Sequence, residues 1–194
     1  MLVLGIDPGS RFLGYGVVEC RADRPLHVGS GVVRGDEQAP LHHRLRTIFS
    51  ELKLLVRLYR PDAMAVEGLF THKNARSALI LGHARGVVLL LAAQENLDVF
   101  EYAPARVKKS VGAGGNDSKS AVARMVERLL QLPGPLQRTD AYDALAVALC
   151  HVHQLRVPGG SGGRSQSRKL SAGQRRGVDQ SFLARLKPAV ERAG

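Results

Sequence analysis

Apolar residues open the chain in three short runs, over residues 2–7, 13–20 and 26–34, each rich in Val, Leu and Gly. The turn-forming segments PGSRF and RADRP divide them, which predicts three strands in an antiparallel meander. The period then changes. Leu41, Leu45, Ile48, Phe49, Leu52, Val56 and Tyr59 recur three and four apart with Arg44, Glu51 and Arg57 on the other side, predicting an amphipathic helix that Pro61 ends. A strand over 63–67, a helix over 73–94, a strand over 99–102 and helices near 104–111, 118–131 and 137–155 follow. That order predicts an α/β fold with a mixed sheet. The helix over 73–94 is apolar nearly all round, so it is expected to be central in the core and shared with another subunit.

Composition narrows the class. The 194 residues are 44% hydrophobic with ordinary charge content, and a body of about 150 residues buries roughly two-thirds of its unfolded surface, so no disulfide or structural metal is needed. Cys20 and Cys150 read as isolated, buried thiols in a reducing cytoplasm. The amino terminus MLVLGIDPGS has no cationic leader, and the longest apolar stretch, 87–93, is far short of the ~20 residues that span a bilayer. A soluble, cytoplasmic protein without a membrane partner is the expectation.

Charge points to a polyanion. Lys and Arg number 28 against 17 Asp and Glu, a net +11 with a pI near 10.4, and nucleic acid is the partner that suits it. Residues 156–194 hold nine Lys/Arg against Asp179 and Glu191, so +7 of the +11 lies there. The division is therefore a folded body over 1–155 and a Gly/Ser/Arg-rich tail over 156–194, expected to be disordered, that either touches phosphates or solubilises.

Four carboxylates stand where carboxylates are costly. Asp7 closes the run LVLGI and Glu67 closes AMAV, so each caps an apolar strand at its carboxyl end, where sites form in such sheets. If the two strands are parallel neighbours, about 4.8 Å apart, both acids reach one sheet edge. Asp140 and Asp143 add an i, i+3 pair on a helix whose other residues, Ala144, Leu145, Val147 and Ala148, are apolar. Each acid has a plainer account: a turn at Asp7-Pro8-Gly9, a strand-end ion pair at Glu67, a helix cap at Asp140. Together they suit a hard divalent cation such as magnesium or manganese better than zinc, which prefers His and Cys. His151 and His153 beside Cys150 are expected to be solvent-facing or dipole-compatible histidines rather than zinc ligands. GAGGNDSKS is not a P-loop, because Ser118 rather than Gly precedes Lys119; it reads as a flexible connector, with Asp117 or Ser118 capping the next helix.

LGIDPGSRFLGYGVV, VEGLF followed by KNARSALILGHARG, EYAPARVKKSVGAGGNDSKSAV and TDAYDALAVALCH, in that order through most of residues 2–153, resemble the RuvC family of Holliday-junction resolvases. The resemblance implies a ribonuclease H-like mixed five-stranded sheet flanked by helices, with Asp7, Glu67, Asp140 and Asp143 as catalytic and metal-binding acids. It also implies an aromatic wedge at Phe70 against unstacked bases, and backbone contacts from Lys108 and Lys119, with Lys73, Arg76 and Lys109 as further DNA-binding residues. Gly68 departs from the pattern, standing where many relatives carry a polar residue, and the basic tail has no counterpart in it.

The expected activity is metal-dependent hydrolysis of paired phosphodiesters in four-way junction DNA, during homologous recombination and repair. Two Mg2+ per site, with Mn2+ as a substitute, are expected to be bridged by Asp7 and completed by Glu67, Asp140 and Asp143, with Glu67 or Asp143 orienting the attacking water. A junction has approximate two-fold symmetry, so a homodimer is implied, working with the RuvA–RuvB branch-migration complex. Competing readings are a related nuclease with another substrate, an actin-like or sugar-kinase ATPase suggested by GIDPGS, and a junction binder without catalysis. The ATPases need a second domain that 194 residues do not provide.

Overall fold

The structure, a computed structural model, describes residues 1–68, 75–112 and 119–156, with only the backbone of Lys119. Five strands form one sheet in the order β3-β2-β1-β4-β5, from β1 (Leu2–Asp7), β2 (Phe12–Cys20), β3 (Pro25–Arg34), β4 (Ala63–Glu67) and β5 (Asp98–Tyr102). The first three pair antiparallel, and β1, β4 and β5 run parallel, so the sheet is mixed as expected. Among the described residues five helices flank it: α1 (Leu41–Tyr59), α2 (Ala75–Gln94), α3 (Pro104–Ser110), α4 (Lys119–Leu130) and α5 (Thr139–Leu155).

Alternation along β1 divides two cores. Leu4 and Ile6 point to the side covered by α1 and α2, and Val3 points to the side covered by α3, α4 and α5. Because both faces are covered, β1 and β4 read as nearly continuous apolar runs. Helix α1 starts after Pro40 and stops at Arg60, whose left-handed φ of 46° lets its N–H bond the Val56 carbonyl before Pro61. Helix α5 is buried along most of its length, from Ala141 to Val152 apart from Asp143, and lies on β1 and β2.

Helix α2 corrects the expectation of a helix central in the core, because few of its residues are buried. Among the described residues it alone is long and apolar enough to cross a bilayer by length and composition, although no uninterrupted run of that length occurs. Packing within the protomer accounts for part of that composition: Ala84, Val88, Leu91 and Ala92 are buried with α1 and the sheet, Arg85 pairs with Glu101 on β5, and Leu79 and Leu90 stay exposed. Both cysteines are free, Cys150 buried and Cys20 partly so. The tail reading beyond Arg156, and the cap expected at Asp117 or Ser118, lie outside the described residues.

Candidate active site

The parallel register of β1 and β4 runs to Ile6 against Val66, and each strand ends one residue later, at Asp7 and Glu67. The two carboxylates therefore leave the same edge of the sheet on adjacent strands. Across the other neighbour, Asp7 pairs with Gly14 of β2. Gly14 is where α5 arrives. A methyl group added there would collide with the Asp140 carbonyl oxygen and lie 2.6 Å from the carbonyl carbon. Gly5 and Gly16, one pleat further along, meet α5 in the same way: a Cβ would lie 2.7 Å from the Ala148 nitrogen and 2.8 Å from the Leu145 nitrogen. These three glycines let the helix settle closely on the sheet, backbone against backbone at Gly5 and Gly14 and with the Leu145 side chain also over Gly16. Its first turn, carrying Asp140 and one step later Asp143, is thereby set beside Asp7.

All four acids are half-buried, so each is reachable from solvent while resting on an apolar body. Asp140 lies in the first turn of α5, where the positive end of the helix dipole favours a carboxylate. It is not the cap. The N-cap is Arg138, whose side chain makes no capping bond and instead turns to Asp140: Nε donates to Oδ2 at 3.1 Å, and Nη2 lies 3.0 Å from the same oxygen. The guanidinium rests on the Phe12 ring, 3.6 Å from its centroid. Arg34, cross-strand partner of Phe12, reaches within 6.0 Å of that centroid from β3.

As they stand, no three His, Cys, Asp or Glu side chains among the described residues are gathered closely enough to hold a metal ion. The chemistry of the donor set nevertheless fits a hard cation, because Asp7 and Glu67 end adjacent strands and Asp140 and Asp143 lie at the start of the helix packed on them, all four being oxygen donors.

Beneath the edge lies a buried polar pair. Tyr102, at the end of β5 and in register with Glu67, shares a hydrogen bond of 2.7 Å with Nδ1 of His151 on α5, and its carbonyl accepts from the Gly68 N–H. Burial pushes the Tyr102 hydroxyl up to about 12 and lowers His151 below its ordinary value. His151 is only 2% exposed, which corrects the expectation of a solvent-facing side chain, and Phe100 stacks against it at 4.3 Å. His153 bonds the Ser110 carbonyl at 2.9 Å. A signal for His151 was present, since it lies two four-residue steps from Asp143 along the inward face of α5.

The residues assigned to DNA divide. Phe70 and Lys73 lie outside the described residues. Arg76 is exposed at the start of α2, Lys108 and Lys109 sit in the last turn of α3 half-buried and exposed, and Lys119 begins α4. Sequence reasoning missed Phe12, Gly14 and Arg138.

Comparison with known proteins agrees with this architecture. The family model described as crossover junction endodeoxyribonuclease RuvC matches residues 3–151. A relative of that name from Myxococcus xanthus is 55% identical, over 99% of this chain and 98% of its own. Another from Shewanella piezotolerans is 45% identical over 86% of this chain and 95% of its own. Among solved structures, Thermus thermophilus RuvC in complex with a Holliday junction substrate superposes with a TM-score of 0.73 at 32% identity, covering 80% of this chain and 96% of that one. The chain belongs to the RuvC family of crossover junction endodeoxyribonucleases.

Proposed function

We propose that this Holliday-junction endonuclease cuts with Asp7, Glu67, Asp140 and Asp143 as ligands of two Mg2+ ions, Mn2+ serving as a substitute. The observation that carries the reading is the meeting of two backbones. Asp7 and Glu67 end adjacent parallel strands, and Asp140 is pressed against Gly14, the cross-strand partner of Asp7. Bound at these acids, the cations would neutralise the scissile phosphodiester and make the attacking water more acidic. The protein's share is placement: Asp7 and Glu67 from the rigid sheet, Asp140 and Asp143 from a helix end that favours negative charge. Glu67 or Asp143 orients the water for in-line attack, and no separate protein base is required.

Lys108, Lys109, Lys119, Lys73 and Arg76 hold the DNA backbone, and Phe70 wedges against unstacked bases at the crossover. The enzyme works in the cytoplasm as a homodimer, one site per strand, downstream of RuvA–RuvB branch migration. Helix α2 supports the dimer: Leu79 and Leu90 are 65% and 54% exposed, and between them Gly82 and Gly86 leave open space above the backbone. The basic segment 156–194 adds non-specific attraction to phosphates.

The test is cleavage of a synthetic four-way junction beside a linear duplex and an RNA–DNA hybrid, in Mg2+, Mn2+ and EDTA. Paired symmetric nicks in the junction alone, lost in EDTA, are expected. Cutting of the hybrid or duplex instead overturns the substrate, and cutting in EDTA overturns the metal.

A further inference from the structure

We propose that Arg138 is an exchangeable counter-cation: it holds Asp140 while the site lacks metal, and on metal binding it passes to a non-bridging phosphate oxygen of the strand being cut. The inference rests on the reading above that Asp140 is a metal ligand.

Local helix energetics do not explain an arginine at this position. N-caps favour Ser, Thr, Asp and Asn, and a cation at a helix amino terminus opposes the dipole. Arg138 makes no capping bond. What holds it is the Phe12 ring that β2 brings beneath its guanidinium at 3.6 Å, together with Asp140 Oδ2, two residues along the chain, at 3.0 and 3.1 Å. Both polar contacts go to one carboxylate oxygen, one that a metal ion would also seek. The side chain remains one-third exposed, so solvent and DNA can reach it.

Competition and release follow from charge. A divalent cation shared by several carboxylates outbids a single guanidinium for Asp140, whereas the stacking on Phe12 does not depend on Asp140 at all. Released from the carboxylate, Arg138 stays on its aromatic seat with its donors turned to the same edge. A guanidinium fork matches phosphate oxygens in geometry and charge. Arg34, held near the same ring, gives that edge a second positive group.

Three variants test this: Arg138→Gln, Arg138→Lys and Asp140→Asn, each first checked for an unchanged melting curve. Free Mn2+ is counted by electron paramagnetic resonance as it is titrated into the DNA-free protein. Removing the competing charge in Arg138→Gln should tighten Mn2+ binding about three- to fivefold, with Arg138→Lys close to wild type. Junction binding is then measured in Ca2+ and in EDTA. Arg138→Gln should bind about tenfold more weakly in Ca2+ and within about twofold of wild type in EDTA, where Arg138 is still on Asp140. Unchanged Mn2+ affinity in Arg138→Gln, or equal weakening in Ca2+ and EDTA, overturns the exchange. If Asp140→Asn weakens Mn2+ binding while Arg138→Gln leaves it unaltered, only the role of Arg138 fails. If Asp140→Asn binds Mn2+ like wild type, the ligand assignment fails and takes the exchange with it.

Discussion

The hydrogen atom that serves as the side chain of Gly14 faces the backbone carbonyl of Asp140, so a strand and a helix touch with nothing between them. Any larger residue must lift the first turn of α5 from the sheet. Gly14→Ala is expected to cost about 1–3 kcal/mol, the usual range for overpacking. It should lower junction cleavage far more than junction binding, because the displaced group is Asp140 rather than a DNA contact. Melting curves together with cleavage and binding assays check this; full cleavage by a stable Gly14→Ala protein would show that the close approach is not needed.

Asp7 is the acid with both neighbours defined, Gly14 on one side and β4 on the other. Asp7→Asn keeps its shape and removes its charge. Cleavage should fall at least about 100-fold, as losses of charge-stabilising groups commonly do, while junction affinity stays within a few fold. Near-normal cleavage would remove Asp7 from the metal site.

Mild acid should loosen the fold through its buried histidines. His151 is held neutral by burial, with Nδ1 bonded to Tyr102 and Nε2 buried without a partner, and His27 is likewise lowered by burial. Between the lowered folded value and the ordinary 6.5, the unfolded chain binds a proton that the folded chain refuses, so stability rises with pH across that window and declines as pH falls through it. Urea unfolding between pH 7.5 and 5 should show this slope, and His151→Phe should flatten it. An unchanged slope in that variant would assign the acid sensitivity elsewhere.

Leu79→Glu combined with Leu90→Glu should convert the proposed dimer into a monomer that still folds at micromolar concentration, because both side chains are largely exposed on the protomer. Sedimentation velocity reads the first effect. Junction cutting by the variant should become unpaired single nicks. A variant that remains dimeric would place the subunit contact on another face.

Much of this was legible in the residues. Asp7 and Glu67 announce themselves because a charge ending an otherwise buried strand has few structural reasons to be there, and the three-and-four spacing from Leu41 to Tyr59 sets α1 to the residue. What stayed hidden depends on neighbours distant in sequence. His151 reads as a polar helix end until Tyr102, 49 residues away, supplies its hydrogen bond. Arg138 reads as one more basic residue until β2 brings Phe12 beneath it. Gly14 and Gly16 look like strand weakeners, since the helix that needs their smallness begins more than 120 residues later.

The contact of α5 with Gly5, Gly14 and Gly16 also separates two kinds of tolerance. At Gly14 the height of Asp140 above the sheet is set first by main-chain atoms, which every sequence shares. Volume-conserving changes deeper along the helix, at Leu149 or Val152, can alter how firmly the domain holds together while leaving the acids where they are. Relatives can therefore drift in resilience to heat or solvent without retuning their chemistry, so long as these three positions keep no side chain.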